Sequence, residues 1–319
     1  MFFKSLMLWM IVITIMISIS SNHWFIYWIM MEMNMMMFIP IMKYNKLENC
    51  NSMITYFIIQ SFSSILFFMS SSLLSINYSI LMEILINTSV LIKLAMIPFH
   101  FWLTSISETL DYNSLLIILT LQKIIPLFIL YKMKSDMSLF ISILSLILSS
   151  VMIFNLKLLK KILIFSSISH LSWMIIIMFI PSNFWISYLL IYFMMINSIL
   201  STLQSNKILS INNMFNKKIS ASGKIKIIIS LLSLGGMPPF MGFLIKFIAI
   251  TLIINYSSIL MTILIISSLI NIYIYIRMIT PMLLTFNKMD INFNLFKNNK
   301  NLYFNSLIIF SLFLMNLMF

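Results

Sequence analysis

Three lysines and one glutamate stand inside long apolar stretches of the sequence: Glu32, Lys93, Lys123 and Lys246. A charge in the middle of a membrane helix costs about 2.5–3.5 kcal/mol on insertion scales. Burial disfavours the charged form of a lysine, while a nearby carboxylate favours it. Moving the carboxylate, or admitting water, would let such a lysine bind and release one proton. We therefore predict proton transfer here, with Glu32 and Lys93 as an ion pair. Lys123 and Lys246 would continue the path.

Snorkelling is the alternative, in which a lysine lays its stem along lipid and places its amine among the headgroups. It suits Lys161, Lys224 and Lys226. It suits Lys93 poorly, because about 15 residues at 1.5 Å each separate Lys93 from either end of its apolar stretch. Lys246 lies roughly eight residues, or about 12 Å, from its helix end. A glutamate cannot reach that far, so Glu32 needs a partner or a proton.

Two histidines are further candidates. His100 follows Pro98, where it could cap a freed carbonyl or relay a proton. His170 lies mid-stretch among serines, where it could line a water path or hydrogen bond between helices. Both interpretations stay open for each histidine.

The elements that position these residues are apolar runs of helix length. The chain has 319 residues, 61% of them hydrophobic and 8% charged, with a mean hydropathy of +1.07. Soluble proteins carry about 25% charged residues. One crossing needs about 20 apolar residues, and the sequence lacks the alternating pattern of a membrane barrel. We expect an all-α integral membrane protein with about eleven transmembrane helices. The expected spans are 3–21, 24–42, 53–74, 78–106, 112–131, 137–155, 158–179, 184–206, 224–254, 256–280 and 301–318.

Two of these spans are too long for one plain crossing, and each contains a helix breaker. Pro98 interrupts the fourth span, and Gly235-Gly236-Met237-Pro238-Pro239 interrupts the ninth. Lipid offers no hydrogen-bond donors, so protein or water must satisfy the carbonyls that each break frees. Both breaks should therefore face the bundle interior. Breaks five spans apart predict two inverted five-helix repeats, 1–134 and 135–280, followed by a basic loop and terminal helix at 281–319. Paired broken helices of this kind mark ion pathways in transporters.

Basic residues give the expected orientation. Eleven spans place Lys132 and Lys134 on one side and the remaining loop cations on the side of the N-terminus, which is therefore the inside. The inside group is Lys4, Lys43, Lys46, Lys157, Lys160, Lys161, Lys207, Lys217, Lys218, Lys224, Lys226, Lys288, Lys297 and Lys300, with Arg277 near that face. Topology and anionic lipid account for the net charge of +13 without a nucleic-acid partner.

Cofactor sites are not expected in this chain. Cys50 is the single cysteine, the three histidines are far apart, and no glycine-rich nucleotide motif occurs. Abundant Met, Ile, Phe, Asn and Lys suggest an AT-rich genome in which AUA encodes Met, as in animal mitochondria. Any redox cofactors would lie in other subunits.

Several stretches, taken together and in order, resemble a known family. They are 21–34, Pro98-Phe99-His100-Phe101-Trp102, Gln122-Lys123-Ile124-Ile125-Pro126, 161–170, and 232–243 with Lys246. This set resembles the antiporter-like membrane subunits of respiratory complex I, in their short animal mitochondrial form, over about residues 20–280. The sequence departs from the family pattern at Leu94, at Ile245 and at Leu103-Thr104-Ser105. Residues 281–319 match in hydropathy alone.

The resemblance implies a proton-translocating subunit of NADH:ubiquinone oxidoreductase in the mitochondrial inner membrane. The N-terminus would face the matrix and the C-terminus the intermembrane space. NADH, FMN, the iron–sulfur clusters and ubiquinone would bind to partner subunits. The partners would be neighbouring membrane-arm subunits, accessory subunits and lipids such as cardiolipin. It also implies the Glu32–Lys93 pair and the path through Lys123 and Lys246.

Two other functions remain open from the sequence. An Mrp-like cation/proton antiporter would share the inverted repeat and the buried lysines. A helix bundle that serves only as a scaffold would bear the cost of buried lysines without using them.

Overall fold

The computed structural model describes residues 2–42, 47–76, 79–216 and 221–286, and these residues are helical with short connections. The helices are α1 (Phe2–Ser20), α2 (Trp24–Met42), α3 (Leu47–Ile76), α4 (Ile80–Leu94), α5 (Phe101–Ile106), α6 (Tyr112–Leu119), α7 (Leu121–Met133), α8 (Asp136–Met152), α9 (Leu159–Met178), α10 (Phe184–Ser205), α11 (Ile211–Asn216), α12 (Ala221–Gly235), α13 (Met241–Ile254) and α14 (Ser258–Phe286). A 3-10 turn at Ile153–Asn155 follows α8.

Ten of the predicted spans fall on the described residues, and the fold confirms them. Eight segments are long and apolar enough to cross a membrane, with α6–α7 counted as one segment. The two interrupted spans, α4–α5 and α12–α13, bring this number to ten. The predicted span 301–318 lies outside the described residues. One detail was wrong: Cys50, expected in a polar connection, lies in α3, which begins at Leu47.

Serines replace the scarce glycine and alanine where helices pack closely. Ser138, Ser142, Ser145 and Ser149 are buried along one face of α8, which packs against α9. Each hydroxyl donates to a carbonyl of its own helix, and the Ser145 hydroxyl also meets Ser172 of α9 at 2.7 Å. Small residues of this kind let helix backbones approach each other in lipid. The α9 span is 94% buried and forms the centre of the bundle.

The two predicted breaks share one backbone pattern. Each first half-helix ends on a left-handed residue, Ala95 (φ 56°) or Gly236 (φ 84°). The next amide donates five residues back, from Met96 to the Leu91 carbonyl and from Met237 to the Leu232 carbonyl, both at 3.2 Å. This is the Schellman arrangement for ending a helix. The backbone at each break is buried, but Pro98, Pro238 and Pro239 lie exposed at the surface of this chain. Proline has no amide that needs a partner, so the expectation of an inward-facing break holds for the carbonyls and not for the rings.

A third interruption, at Thr120 between α6 and α7, was not predicted from the sequence. Thr120 has φ −125° and ψ −80°, and its hydroxyl donates to the Leu116 carbonyl at 2.6 Å. Pro126, in the next helix, cannot donate to the carbonyl four residues earlier. The interruption lies one turn or less before Lys123, which belongs to the first turn of α7.

Candidate functional site

Glu32 is half-buried on α2 and takes its hydrogen bond from Ser64 of α3. The predicted contact ion pair with Lys93 does not form. Among the residues that the structure describes, the one ion pair within 4.0 Å joins Lys161 and Glu108. Glu32 and Lys93 are still close enough for their charges to interact. The serine hydroxyl is nearer to the carboxylate, so the two charges act across a gap rather than in contact.

Lys93 and Lys123 line the same small cavity, which lies between α2, α3, α4 and α7. About 20 Å³ of it is open to the centre of a water molecule, which is enough for roughly one water. Three amides share its wall: Asn34, Gln60 and Gln122. Gln122 donates to Asn34 at 2.9 Å and accepts from Tyr56 at 3.4 Å. These amides suit an ordered water in the cavity that both lysines line.

Lys123 connects this cavity to the centre of the bundle. Its side chain is 4% exposed, and its amine donates to the Ser167 hydroxyl of α9 at 2.9 Å. Ser167 donates in turn to the Ile164 carbonyl at 2.6 Å. A second cavity of about 10 Å³ opens on the other side of Lys123 and reaches Tyr192. Lys123 therefore borders both cavities.

His170 lies near Lys123 and Lys246. It is 3% exposed, its Nδ1 meets the Tyr188 hydroxyl at 2.9 Å, and its ring lies beside the backbone of Leu234 at the second break. The ring also lies near enough to Lys123 and Lys246 to interact with both charges. The structure thus brings His170 into the line of lysines.

Lys246 caps the end of the first half-helix at the second break. It is 5% exposed, and its amine donates to the Gly235 carbonyl at 3.0 Å. A Cβ atom on Gly236 would lie 3.1 Å from this amine. Glycine at this position thus serves the left-handed backbone and also leaves room for the lysine.

His100 lies apart from this line. It is buried, it packs against Phe101 with ring centroids 4.2 Å apart, and its ring lies beside the backbone at Pro98. Its Nδ1 has no partner in the part of the chain that the structure describes. It does not line the cavity shared by Lys93 and Lys123. The geometry favours carbonyl capping over proton relay for His100.

The expectation for Lys224 was wrong. A snorkelling lysine would extend toward the headgroups, yet Lys224 is 5% exposed. It lies in the first turn of α12, which packs against α10 and α14, so its stem is enclosed by protein rather than by lipid.

The neutral partners of the charged groups were not predicted from the sequence. Ser64, Ser167 and Tyr188 each contact a predicted site residue, and Trp102 caps the first break. Serine and tyrosine are common along these spans, so their type alone did not distinguish them. The polar run from Ser166 to His170 and the adjacent Gln122 and Lys123 were the available signals.

Comparison with known proteins places this arrangement in a family. The family described as "NADH:quinone oxidoreductase/Mrp antiporter, TM" matches residues 21–271. A tick protein named NADH-ubiquinone oxidoreductase chain 2, from Rhipicephalus sanguineus, is 49% identical over 95% of this chain and 97% of its own length. The protein of the same name from Anopheles gambiae is 34% identical over 86% of this chain and 84% of its own length.

Solved structures share the fold at low identity. A chain of respiratory complex I from Thermus thermophilus has a TM-score of 0.78 at 17% identity, covering 86% of this chain and 69% of that chain. A chain of the Mrp complex from Dietzia has a TM-score of 0.75 at 13% identity, covering 86% of this chain and 59% of that chain. The antiporter-like helix arrangement is therefore common to both assemblies.

Proposed function

Because the chain belongs to the NADH:quinone oxidoreductase/Mrp antiporter transmembrane family, we propose that its buried line of polar groups carries protons across the membrane. The chain is an antiporter-like membrane subunit of NADH:ubiquinone oxidoreductase, as its full-length relatives indicate. The fold alone does not separate this function from that of an Mrp-like antiporter, because both kinds of assembly contain it. The 49% identity to a chain 2 protein favours the respiratory complex.

The water-sized cavity between Lys93 and Lys123 is the observation that carries the proposal. Proton transfer needs hydrogen-bond reach, either direct or through one water. A water in this cavity would bridge the two amines, and the Asn34 and Gln122 amides would orient it. A scaffold would have no use for two lysines at one water site.

The path continues by hydrogen-bonding groups of α9. Lys123 contacts Ser167, and His170 is near enough to both Lys123 and Lys246 for their charges to interact with its ring. A proton arriving at Lys123 would pass to the His170 region and then to Lys246. Glu32 interacts electrostatically with Lys93 across the gap between them. Movement of Glu32 toward or away from Lys93 would therefore favour protonation or deprotonation of that lysine.

The matching backbone at the two breaks supports the division into inverted repeats at 1–134 and 135–280. By the positive-inside rule the N-terminus lies in the matrix and the C-terminus in the intermembrane space. We assign the NADH, FMN, iron–sulfur and ubiquinone sites to partner subunits. Neighbouring antiporter-like and accessory subunits, together with anionic lipid such as cardiolipin, are the proposed partners.

Lys123→Gln is the direct test. The amide can hydrogen bond to Ser167 but cannot carry a proton through the cycle, and proton transfer by a positioned side chain contributes roughly 10²–10⁴-fold to a rate. We expect protons pumped per NADH oxidised to fall sharply in proteoliposomes of the purified complex. Fluorescence quenching by a pH-sensitive dye, measured against NADH consumption, gives that ratio.

Lys134→Gln is the matched control, because Lys134 caps the C-terminus of the same helix at an exposed position. It should leave the ratio unchanged. Assembled Lys123→Gln complex with a normal pumping ratio would refute the proposed path.

A further inference from the structure

A large cavity lies away from the proton path, where several spans end. It has a volume of about 410 Å³ and lies between the end of α8, the start of α9, α11 and the last third of α14. The membrane-spanning segments that border it end at Asn155, begin at Leu159 and end at Thr280. The cavity therefore lies level with the boundary between lipid and water.

Two cations face this cavity, Lys157 from the connection after α8 and Arg277 from α14. Both are exposed, and two amides, Asn155 and Asn212, add hydrogen-bond donors beside them. Within the described ranges no carboxylate lines the cavity. The one ion pair within 4.0 Å in those ranges joins Lys161 and Glu108, neither of which lines the cavity. The positive charge is thus available to an anion.

The rest of the wall is apolar. Ile153, Ile162, Ile274 and Met278 line it and are buried, with relative exposures of 1–4%, and Phe154 lines it beside them. An inorganic anion would gain nothing from this wall, whereas a molecule with a charged head and hydrocarbon tails would use both parts. Basic pockets between membrane helices recognise anionic headgroups in this way.

We propose that this cavity binds one anionic phospholipid. Its phosphodiester would lie between Lys157 and Arg277, and Asn155 and Asn212 would hydrogen bond to the headgroup oxygens. The first methylenes of its acyl chains would pack on Phe154, Ile274 and Met278. The proposal depends on the chain spanning a membrane and not on the proton path.

Photo-crosslinking tests the site in the purified respiratory complex, held in phosphatidylcholine nanodiscs. The probe is phosphatidylglycerol with a diazirine on one acyl chain, and the comparison lipid is phosphatidylcholine with the same chain. We expect the anionic probe to label peptides containing 153–162 and 274–278. Each surface cation contributes about fivefold to anionic-lipid binding, so Lys157→Gln with Arg277→Gln should raise the half-saturating probe concentration about 25-fold.

Two variants control for charge and folding. Lys4→Gln with Lys134→Gln removes the same net charge at exposed positions outside the cavity, and labelling should persist. Lys157→Arg with Arg277→Lys keeps both charges, and labelling should also persist. Three results would overturn the proposal: equal labelling by phosphatidylcholine, competition by inorganic phosphate as effective as by unlabelled phosphatidylglycerol, or no labelling of the unmodified complex.

Discussion

At the first break the Trp102 indole of α5 donates to the Ile92 carbonyl of α4 at 3.1 Å. At the second break the Lys246 amine of α13 donates to the Gly235 carbonyl of α12 at 3.0 Å. Both bonds reach from the second half-helix to a carbonyl near the end of the first. In both places a carbonyl near the end of the first half-helix receives a side-chain donor. The donor is a neutral indole at the first break and a titratable amine at the second.

This difference decides which lysine is free. With Trp102 as the cap, Lys93 makes no hydrogen bond or close ion pair within the described part of the chain, and it faces the cavity. At the second break, Lys246 bonds to the broken backbone, and His170 lies beside it. At the first break the lysine amine therefore faces the cavity without a bond to the helix backbone. At the second break the lysine amine is bonded to the end of the first half-helix. A proton leaving Lys246 would weaken a bond that holds two half-helices together.

Gly242→Ala should have the largest effect, because the half-helices of the second break touch at this residue. A Cβ atom there would lie 1.8 Å from the Ser233 carbonyl oxygen, and no rotamer can relieve a clash with backbone. We expect a loss of about 3 kcal/mol or more in stability, seen as a lower melting temperature and less assembled complex. The corresponding residue of the first break, Phe101, is 70% exposed, so its side chain does not lie between the two half-helices there.

Gly235→Ala is the matched control in the same segment. Its Cβ would meet the Tyr275 ring at 3.2 Å, and a ring edge can shift by a few tenths of an ångström. The loss should be about 1 kcal/mol or less. Equal melting temperatures for the two variants would mean that the second break is not tightly packed.

Lys246→Met and Trp102→Phe separate capping from proton transfer. Each leaves one buried carbonyl without its side-chain donor, although Ile92 keeps an amide bond from Ala95. A lost partner of this kind costs about 1–3 kcal/mol, so both variants should melt at lower temperature, Trp102→Phe less so. Only Lys246→Met should lower the number of protons pumped per NADH oxidised, measured on complex that has assembled.

Trp102→Phe thus serves as the control for disturbance of a broken helix. A fall in the pumping ratio of similar size in both variants would assign Lys246 a structural role alone. An unchanged ratio in Lys246→Met would end the path at His170.

Sequence patterns predicted the parts of this comparison that depend on residue type and position. Runs of apolar residues marked the spans, and Pro98 and the Gly235–Pro239 segment marked the breaks. The positions of Lys93 and Lys246, before one break and after the other, already indicated that the two units differ. Each of these features follows from local chemistry, since a proline or a charge has the same effect in any helix.

The donors that complete each break could not be predicted in this way. Whether Trp102 or Lys246 reaches a carbonyl depends on how the half-helices cross, which local sequence does not specify. The same holds for Glu32, whose nearest donor is Ser64 of the adjacent helix and not Lys93. Thr120 is neither glycine nor proline, and its hydroxyl bonds to its own helix as most threonines in helices do, so its residue type did not mark the interruption.

Ser64→Ala should have the smallest effect, and it tests the free lysine of the first break. Without the Ser64 hydroxyl, Glu32 loses a hydrogen bond worth about 1.5–3 kcal/mol to a charged group and can turn toward Lys93. Closer approach would hold the lysine in its charged form. We expect a severalfold slower pumping rate, with a smaller loss than Glu32→Gln gives. Ser61→Ala, one turn earlier on α3, removes a hydroxyl that bonds to the Ile58 carbonyl of its own helix and should leave the rate unchanged. If Ser64→Ala also pumps at the normal rate, the gap between Glu32 and Lys93 has no part in setting the charge of Lys93, and the contrast with the backbone-bound Lys246 loses its functional meaning.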